Sequence, residues 1–104
     1  MDDVALVLDG HSRAAVEVVQ ALGRLGVRVD VGVEAEECAA FHSKYAHRKL
    51  RQPSPVSPDE FARWLRARHE ERSYTLIVAA TESSLLSLRA LPPDDPLRVK
   101  AVLP

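Results

Sequence analysis

The sequence predicts an α/β domain: a three-layer open parallel sheet of four to five strands with helices on both faces. Residues 4–8 form a continuous apolar run, which is typical of a strand covered on both faces. Residues 12–25 change to helical spacing, and residues 27–33 resume as a β-branched strand. Because two strands joined by a helix are normally parallel with a right-handed crossover, this opening unit indicates the topology of the domain.

The next elements are marked by their ends and by their apolar positions. The first helix has a stripe of apolar residues on one face, namely Ala15, Val18, Val19, Leu22 and Leu25. Gly26 is expected to end this helix, since glycine adopts the left-handed conformation at low cost. Residues 34–43 are a connection with one helical turn. Residues 46–52 form a third strand rich in His, Arg and Lys, a composition that fits the edge of a sheet.

A proline-containing loop leads into the second helix. Ser57 is the predicted N-cap, Pro58 takes the first helical position, and Glu60 completes a capping box. The hydrophobic staple and the buried stripe of this helix are formed by apolar residues, namely Val56, Phe61, Trp64 and Leu65. We interpret the stripe as core rather than as a ligand platform.

The remaining sequence predicts a strand, a helix and a last strand. Residues 74–80 form the fourth strand, and Thr81 caps a helix that runs to about residue 90. The packing residues of that helix are Leu85, Leu86 and Leu88. Prolines at positions 92, 93 and 96 end the helix, and residues 97–103 form a fifth strand. The charged third strand belongs at one edge, which favours the strand order 3-2-1-4.

Size and charge restrict the possible functions. The 104 residues suffice for one domain, which spans residues 1–104. Fourteen basic and fifteen acidic side chains give a net charge of -1, so we expect neither nucleic acid nor a membrane as a partner. The acidic start at residues 1–3 and the lack of a long apolar run predict a cytoplasmic protein. The single cysteine, Cys38, is interpreted as a buried, unreactive thiol.

A ligand site is predicted between the first and fourth strands. With the order 3-2-1-4, the strand order reverses there, and open parallel sheets bind ligands at that point. The loops that follow these two strands each open a helix whose N-terminus favours an anion. The candidate substrate-binding residues are Asp9, Gly10, His11, Ser12, Arg13, Thr81, Glu82 and Ser83.

Sharper motifs for catalysis or cofactor binding are missing. Gly10 stands alone after the first strand where a dinucleotide-binding turn needs three glycines, and there is no phosphate-loop motif. The histidines form no i, i+4 pair and have no cysteine partner, so no metal site is expected. No nucleophile has a base at a suitable spacing, and no catalytic residue is assigned. The basic stretch at residues 42–51 is interpreted as a solvated edge.

Four segments in this order and spacing form a pattern that covers nearly the whole chain. They are residues 4–15 (VALVLDGHSRAA), residues 43–45 (SKY), residues 53–61 (PSPVSPDEF) and residues 79–86 (AATESSLL). Together they resemble the N-terminal domain of ATP-grasp ligases, in the group similar to carbamoyl phosphate synthase and biotin carboxylase. The resemblance implies a Rossmann-like, pre-ATP-grasp fold.

In that family two further domains clamp ATP and magnesium, and the enzyme joins a carboxylate to an amine through an acyl phosphate. The resemblance implies that this domain holds no cofactor, and that ATP and Mg²⁺ bind to ATP-grasp domains in the same chain or in a partner chain. It further implies that the residues at 10–13 and 81–83 line the side of the cleft that binds a small carboxylate or amine substrate. The family often has an aspartate where this chain has Glu82. The longer side chain of Glu82 is a departure from the family pattern at a position where direct substrate contact would otherwise be expected.

Two other interpretations stay open from the sequence. The chain could be a stand-alone module that binds a small anion in the same cleft without catalysis. It could also be a structural subunit that pairs through its sheet edge or its helices. All three interpretations predict that the chain is not a complete enzyme.

Overall fold

The computed structural model describes residues 3–34, 39–54 and 57–102. Five strands and four helices follow one another as β1 (Val4–Val7), α1 (Arg13–Arg24), β2 (Arg28–Val33), β3 (Ala46–Arg51), α2 (Pro58–Arg72), β4 (Leu76–Val78), α3 (Glu82–Arg89), α4 (Pro96–Val99) and β5 (Ala101–Val102). A 3₁₀ turn at Ala39–His42 precedes β3. All strand pairs are parallel and the sheet order is β3-β2-β1-β4-β5. The predicted α/β class, the order 3-2-1-4 and the Rossmann-like layering are therefore confirmed.

The alternation of side chains along β1 divides the core between the two faces of the sheet. Leu6 and Leu8 pack with residues of α2, α3 and α4, whereas Val7 packs with α1 and the 3₁₀ turn. All residues of β1 are buried, as expected for a central strand covered on both faces. The carboxyl end of β1 is consequently held in the middle of the three layers.

Helix α1 begins and ends where the sequence predicts. The Ser12 hydroxyl accepts a hydrogen bond from the Ala15 N–H, and Gly26 has a φ of 83°. One apolar position differs from the prediction, since Leu25 is 79% exposed. The helix ends at Arg24, so Leu25 leaves the helical stripe and points away from the core.

Helix α2 begins at Pro58 after Ser57, but the Ser57 side chain forms no capping hydrogen bond. The Ser57 half of the predicted capping box is therefore not formed. The backbone of Ser57 has a φ of -108° and a ψ of 88°. Phe61 and Leu65 are buried, and Trp64 packs against them, which confirms the interpretation of this stripe as core. Val56, the other half of the predicted staple, lies outside the described residues, as does Cys38.

Helix α3 is capped by Thr81, whose hydroxyl accepts a hydrogen bond from the Ser84 N–H. Leu88 is buried and Leu85 partly so, but the prediction that Leu86 packs in the core is wrong, because it is 57% exposed. Ser84 takes the buried position one turn before Leu88. A serine lies inside because its hydroxyl has a partner there, which belongs to the candidate site.

The last predicted strand is shorter than expected. Residues 97–99 belong to α4, and the strand is limited to Ala101–Val102 within the described residues. Asp95 accepts a hydrogen bond from the Leu97 N–H and Pro96 takes the first helical position. These two helix-start signals prevail over the apolar run that follows them.

Gly23 permits a close approach between α1 and the segment before β3. A Cβ built on Gly23 would lie 2.1 Å from Cγ of Tyr45, so the aromatic ring rests directly on the backbone of the helix. Glycine normally weakens a helix, and its presence near the end of α1 is explained by this contact.

We expect Gly23→Ala to lower the free energy of unfolding by about 1–3 kcal/mol, because the added methyl group forces the ring away. In a Tyr45→Ala background the same substitution should stabilise the protein by about 0.5–1 kcal/mol, the usual gain for alanine in a helix. Urea unfolding of the four chains gives both values. A stabilising effect of Gly23→Ala in the wild-type background would contradict the contact.

Candidate functional site

The candidate site lies at the carboxyl ends of β1 and β4. The chain moves from β1 through β2 to β3 on one side and from β4 to β5 on the other, so the strand order reverses between β1 and β4. The loops 9–12 and 79–81 leave these two neighbouring strands at the same edge of the sheet. The structure therefore brings together the two loops that were predicted to face each other.

Asp9 joins these loops through its side chain. It is 3% exposed and has a φ of 62°, a left-handed conformation that aspartate tolerates better than most residues. Its Oδ2 accepts hydrogen bonds from the Ala80 N–H (3.1 Å) and the Thr81 N–H (3.0 Å). Its Oδ1 accepts from the Ser84 hydroxyl (2.7 Å). The carboxylate thus fixes the start of α3 against the end of β1.

Gln52, which follows β3 two strands away from β1, also forms hydrogen bonds with Asp9. Its Oε1 accepts from the Asp9 N–H (3.0 Å), and its Nε2 donates to Asp9 Oδ1 (3.3 Å). The amide reaches across β2 at Gly32, where an added Cβ would lie 3.0 Å from Gln52 Oε1. A side chain at position 32 would crowd this path, and glycine leaves room for the close approach of the amide.

The four hydrogen bonds that reach the Asp9 side chain place two donors on each oxygen, which is the capacity of a carboxylate. Asp9 was predicted to bind substrate in the cleft. The structure buries its carboxylate, whose acceptor positions are all occupied by donors of the protein itself. Its negative charge also lies at the N-terminus of α3, where it meets the positive end of the helix dipole.

The other candidate residues form a rim above Asp9. His11, Arg13, Glu82 and Ser83 are exposed, Ser12 and Thr81 are partly buried, and Gly10 is buried. Arg13 forms an exposed ion pair with Glu17, 3.6 Å away, which holds its guanidinium weakly. The rim is therefore an accessible set of side chains on a base that Asp9 fixes.

The two halves of this rim differ in charge. The first turn of α1 contains no acidic residue and carries Arg13, so this side favours an anion. The first turn of α3 contains Glu82 and lies next to the Asp9 carboxylate, so this side favours a cation or an amine. Of the two helix starts that were predicted to attract an anion, the α1 side has the more favourable charge.

A second buried carboxylate, Asp30 on β2, lies elsewhere in the fold. It accepts hydrogen bonds from the Tyr74 hydroxyl (2.7 Å) and from Arg72 Nε (3.2 Å), and Arg48 Nε is 3.4 Å away. Burial, together with the hydrogen bond to Asp30, raises the pKa of the Tyr74 phenol. Arg72 ends α2 and Tyr74 precedes β4, so this cluster joins elements at the opposite end of the sheet from the rim.

Within the described ranges, no group of three or more His, Cys, Asp or Glu side chains is arranged to hold a metal ion. Among the same residues, no helix has the length and apolar character to cross a membrane.

Sequence reasoning did not identify Gln52 or Gly32 as parts of this site, and it gave Ser84 no role beyond its place in the segment at residues 79–86. The available signal was Gly32, since a glycine inside a β-branched strand often marks a close approach of another group. Gln52 and Ser84 are 43 and 75 residues from Asp9, and no local pattern connects residues so far apart.

Comparison with known proteins gives a likeness of fold. No family model matches the chain, and no curated protein matches it. Among solved structures, the chain is similar to glycinamide-RNase-transformylase T from Mycobacterium tuberculosis, with a TM-score of 0.61 and 21% sequence identity. The match covers 83% of this chain and 25% of that one, so the domain spans about a quarter of that protein's length. At this identity the likeness supports the α/β fold alone.

We expect Asp9→Asn to lower the free energy of unfolding by about 2–4 kcal/mol, because an amide nitrogen would face donors that are now bound to a carboxylate oxygen. Glu82→Gln, an exposed change of the same kind in the rim, should alter it by no more than about 0.5 kcal/mol. Equilibrium denaturant unfolding measures both. Equal effects of the two substitutions would contradict the structural role of Asp9.

Proposed function

We propose that this domain forms the substrate-side wall of an ATP-dependent carboxylate–amine ligase of the ATP-grasp family. The observation that carries the proposal is the rim at the reversal of strand order, whose two helix starts are held together by Asp9. The solved neighbour is an ATP-grasp family enzyme, and this chain matches a quarter of its length. The order of the four sequence segments supports the same family.

The charge of the rim suits a substrate with an anionic and a cationic end. On this proposal, Arg13 and the first turn of α1 bind the carboxylate or phosphate of the substrate. Glu82 on the first turn of α3 binds an amine. Gly10 and Ser12 shape the floor between them, while Asp9 acts as a positioning residue below.

ATP and Mg²⁺ are assigned to other domains on this proposal. The described residues contain no carboxylate cluster for a cation, and the three buried carboxylates, Asp9, Asp30 and Asp95, accept hydrogen bonds from the protein's own donors. The nucleotide would supply the phosphoryl group that activates the carboxylate. The role of this chain is to bind and orient the substrate beside it.

Glycine and acetate are suitable probes of the rim, because they share a carboxylate and only glycine has an ammonium group. In an NMR titration of the ¹⁵N-labelled chain, we expect both to shift amides at residues 10–13, and glycine alone to shift amides at 81–84. Arg13→Gln should weaken both responses about tenfold or more, the loss of one charge-assisted contact. Glu82→Gln should weaken the glycine response only.

Arg89→Gln is the matched control, since Arg89 is exposed in the last turn of α3, away from the rim. It should leave both titrations unchanged. Shifts confined to residues 42–51 would contradict the placement of the site. Magnesium-dependent ATP hydrolysis by the pure chain would contradict the assignment of the nucleotide to other domains.

A further inference from the structure

A separate groove lies at the opposite end of the sheet from the rim. It has a volume of about 450 Å³ and is lined by Gln20, Arg24, His42, Ser43, Lys44 and Tyr45. The first two lining residues belong to the C-terminal half of α1, and the others lie at the end of the 3₁₀ turn and just before β3. This volume falls in the range of about 300–1,000 Å³ that small-molecule sites occupy.

The residues that line the groove carry positive charge and no negative charge. None of its lining residues is acidic, and two of them, Arg24 and Lys44, are basic. Within the described part of the chain, neither forms an ion pair with a carboxylate. By contrast, Arg48, Arg66 and Arg72 are each paired with a carboxylate. The groove therefore has a charge available for a ligand.

The wall of the groove is held in place by short-range contacts. The Tyr45 ring rests on Gly23 of α1, and the Ser43 hydroxyl accepts a hydrogen bond from the Tyr45 N–H at 3.2 Å. Lys44 Nζ lies 5.2 Å from the centre of the Tyr45 ring, a cation–π contact. These contacts restrict the side chains of the groove before a ligand binds, so binding costs less conformational entropy.

The dipole of α1 places the equivalent of roughly half a negative charge at its C-terminus, which disfavours an anion there. Arg24 lies in that last turn and offsets it with a full positive charge, and Lys44 adds a second from the other side of the groove. The balance is positive. A phosphomonoester carries a charge of about −1.5 to −2 at pH 7, so two cationic side chains match it better than they match a singly charged carboxylate.

We propose that this groove binds the phosphate group of a small phosphomonoester, with Arg24 and Lys44 as its charged contacts. Gln20 and Ser43 supply neutral donors, and the volume leaves room for the organic part of the molecule. The proposal does not depend on the function proposed for the rim, because the two sites share no residue and lie at opposite ends of the strands.

An NMR titration of the labelled chain with glycerol 3-phosphate tests the proposal. We expect saturable shifts of the amides at residues 20–24 and 42–46, all on one binding curve. The amides at residues 10–13 should not follow that curve. Arg24→Gln and Lys44→Gln should each weaken binding about tenfold, the loss of one charge-assisted contact. Arg63→Gln, an exposed arginine of α2 outside the groove, should change the affinity less than twofold.

Four outcomes would overturn the proposal. These are the absence of saturable shifts at the groove, an equal loss of affinity in Arg63→Gln, equal affinity for acetate, and tighter binding of a short single-stranded oligonucleotide spread along residues 42–51. Arg24 and Lys44 are exposed, so their variants are expected to fold, and the unchanged spectrum of the remaining amides confirms this in the same experiment.

Discussion

The carboxylate of Asp9 is the interaction on which the arrangement of this domain depends. Asp9 follows β1, and its carboxylate accepts hydrogen bonds from two backbone N–H groups just before α3. The amide of Gln52, which follows β3, donates to the same carboxylate. These elements are far apart in the sequence, and this side chain forms hydrogen bonds that join them directly. The left-handed backbone of Asp9 costs about 1–2 kcal/mol, and the hydrogen bonds that it makes possible offset this strain.

Because of this constraint, the acidic residue with a structural role, Asp9, is distinct from the acidic residue available to a ligand, Glu82. A buried carboxylate with four donors has no capacity left for a substrate, whereas the exposed Arg13 and Glu82 above it are accessible. The fixed base holds together the two helix starts that carry these side chains. It also places negative charge on the α3 side, and the rim consequently has one half that suits an anion and another that suits an amine.

The order of elements could be predicted from the sequence because local signals mark it. Apolar periodicity located β1, α1 and β2, while Ser12 and Thr81 marked helix starts and Gly26 a helix end. What could not be predicted depends on contacts between distant residues, as with Gln52 crossing β2 at Gly32. The wrong prediction for Leu86 has the same origin, since tertiary packing decides that Ser84 is buried and Leu86 exposed.

The most direct test of this account is the hydrogen exchange of the Ala80 and Thr81 amides. Their partner is the buried Asp9 carboxylate, so these protons should exchange as slowly as that of Leu8, which is bonded to the Val78 carbonyl in the centre of the sheet. Exchange of Ala80 and Thr81 at the rate of an exposed loop would show that Asp9 does not hold the two loops together.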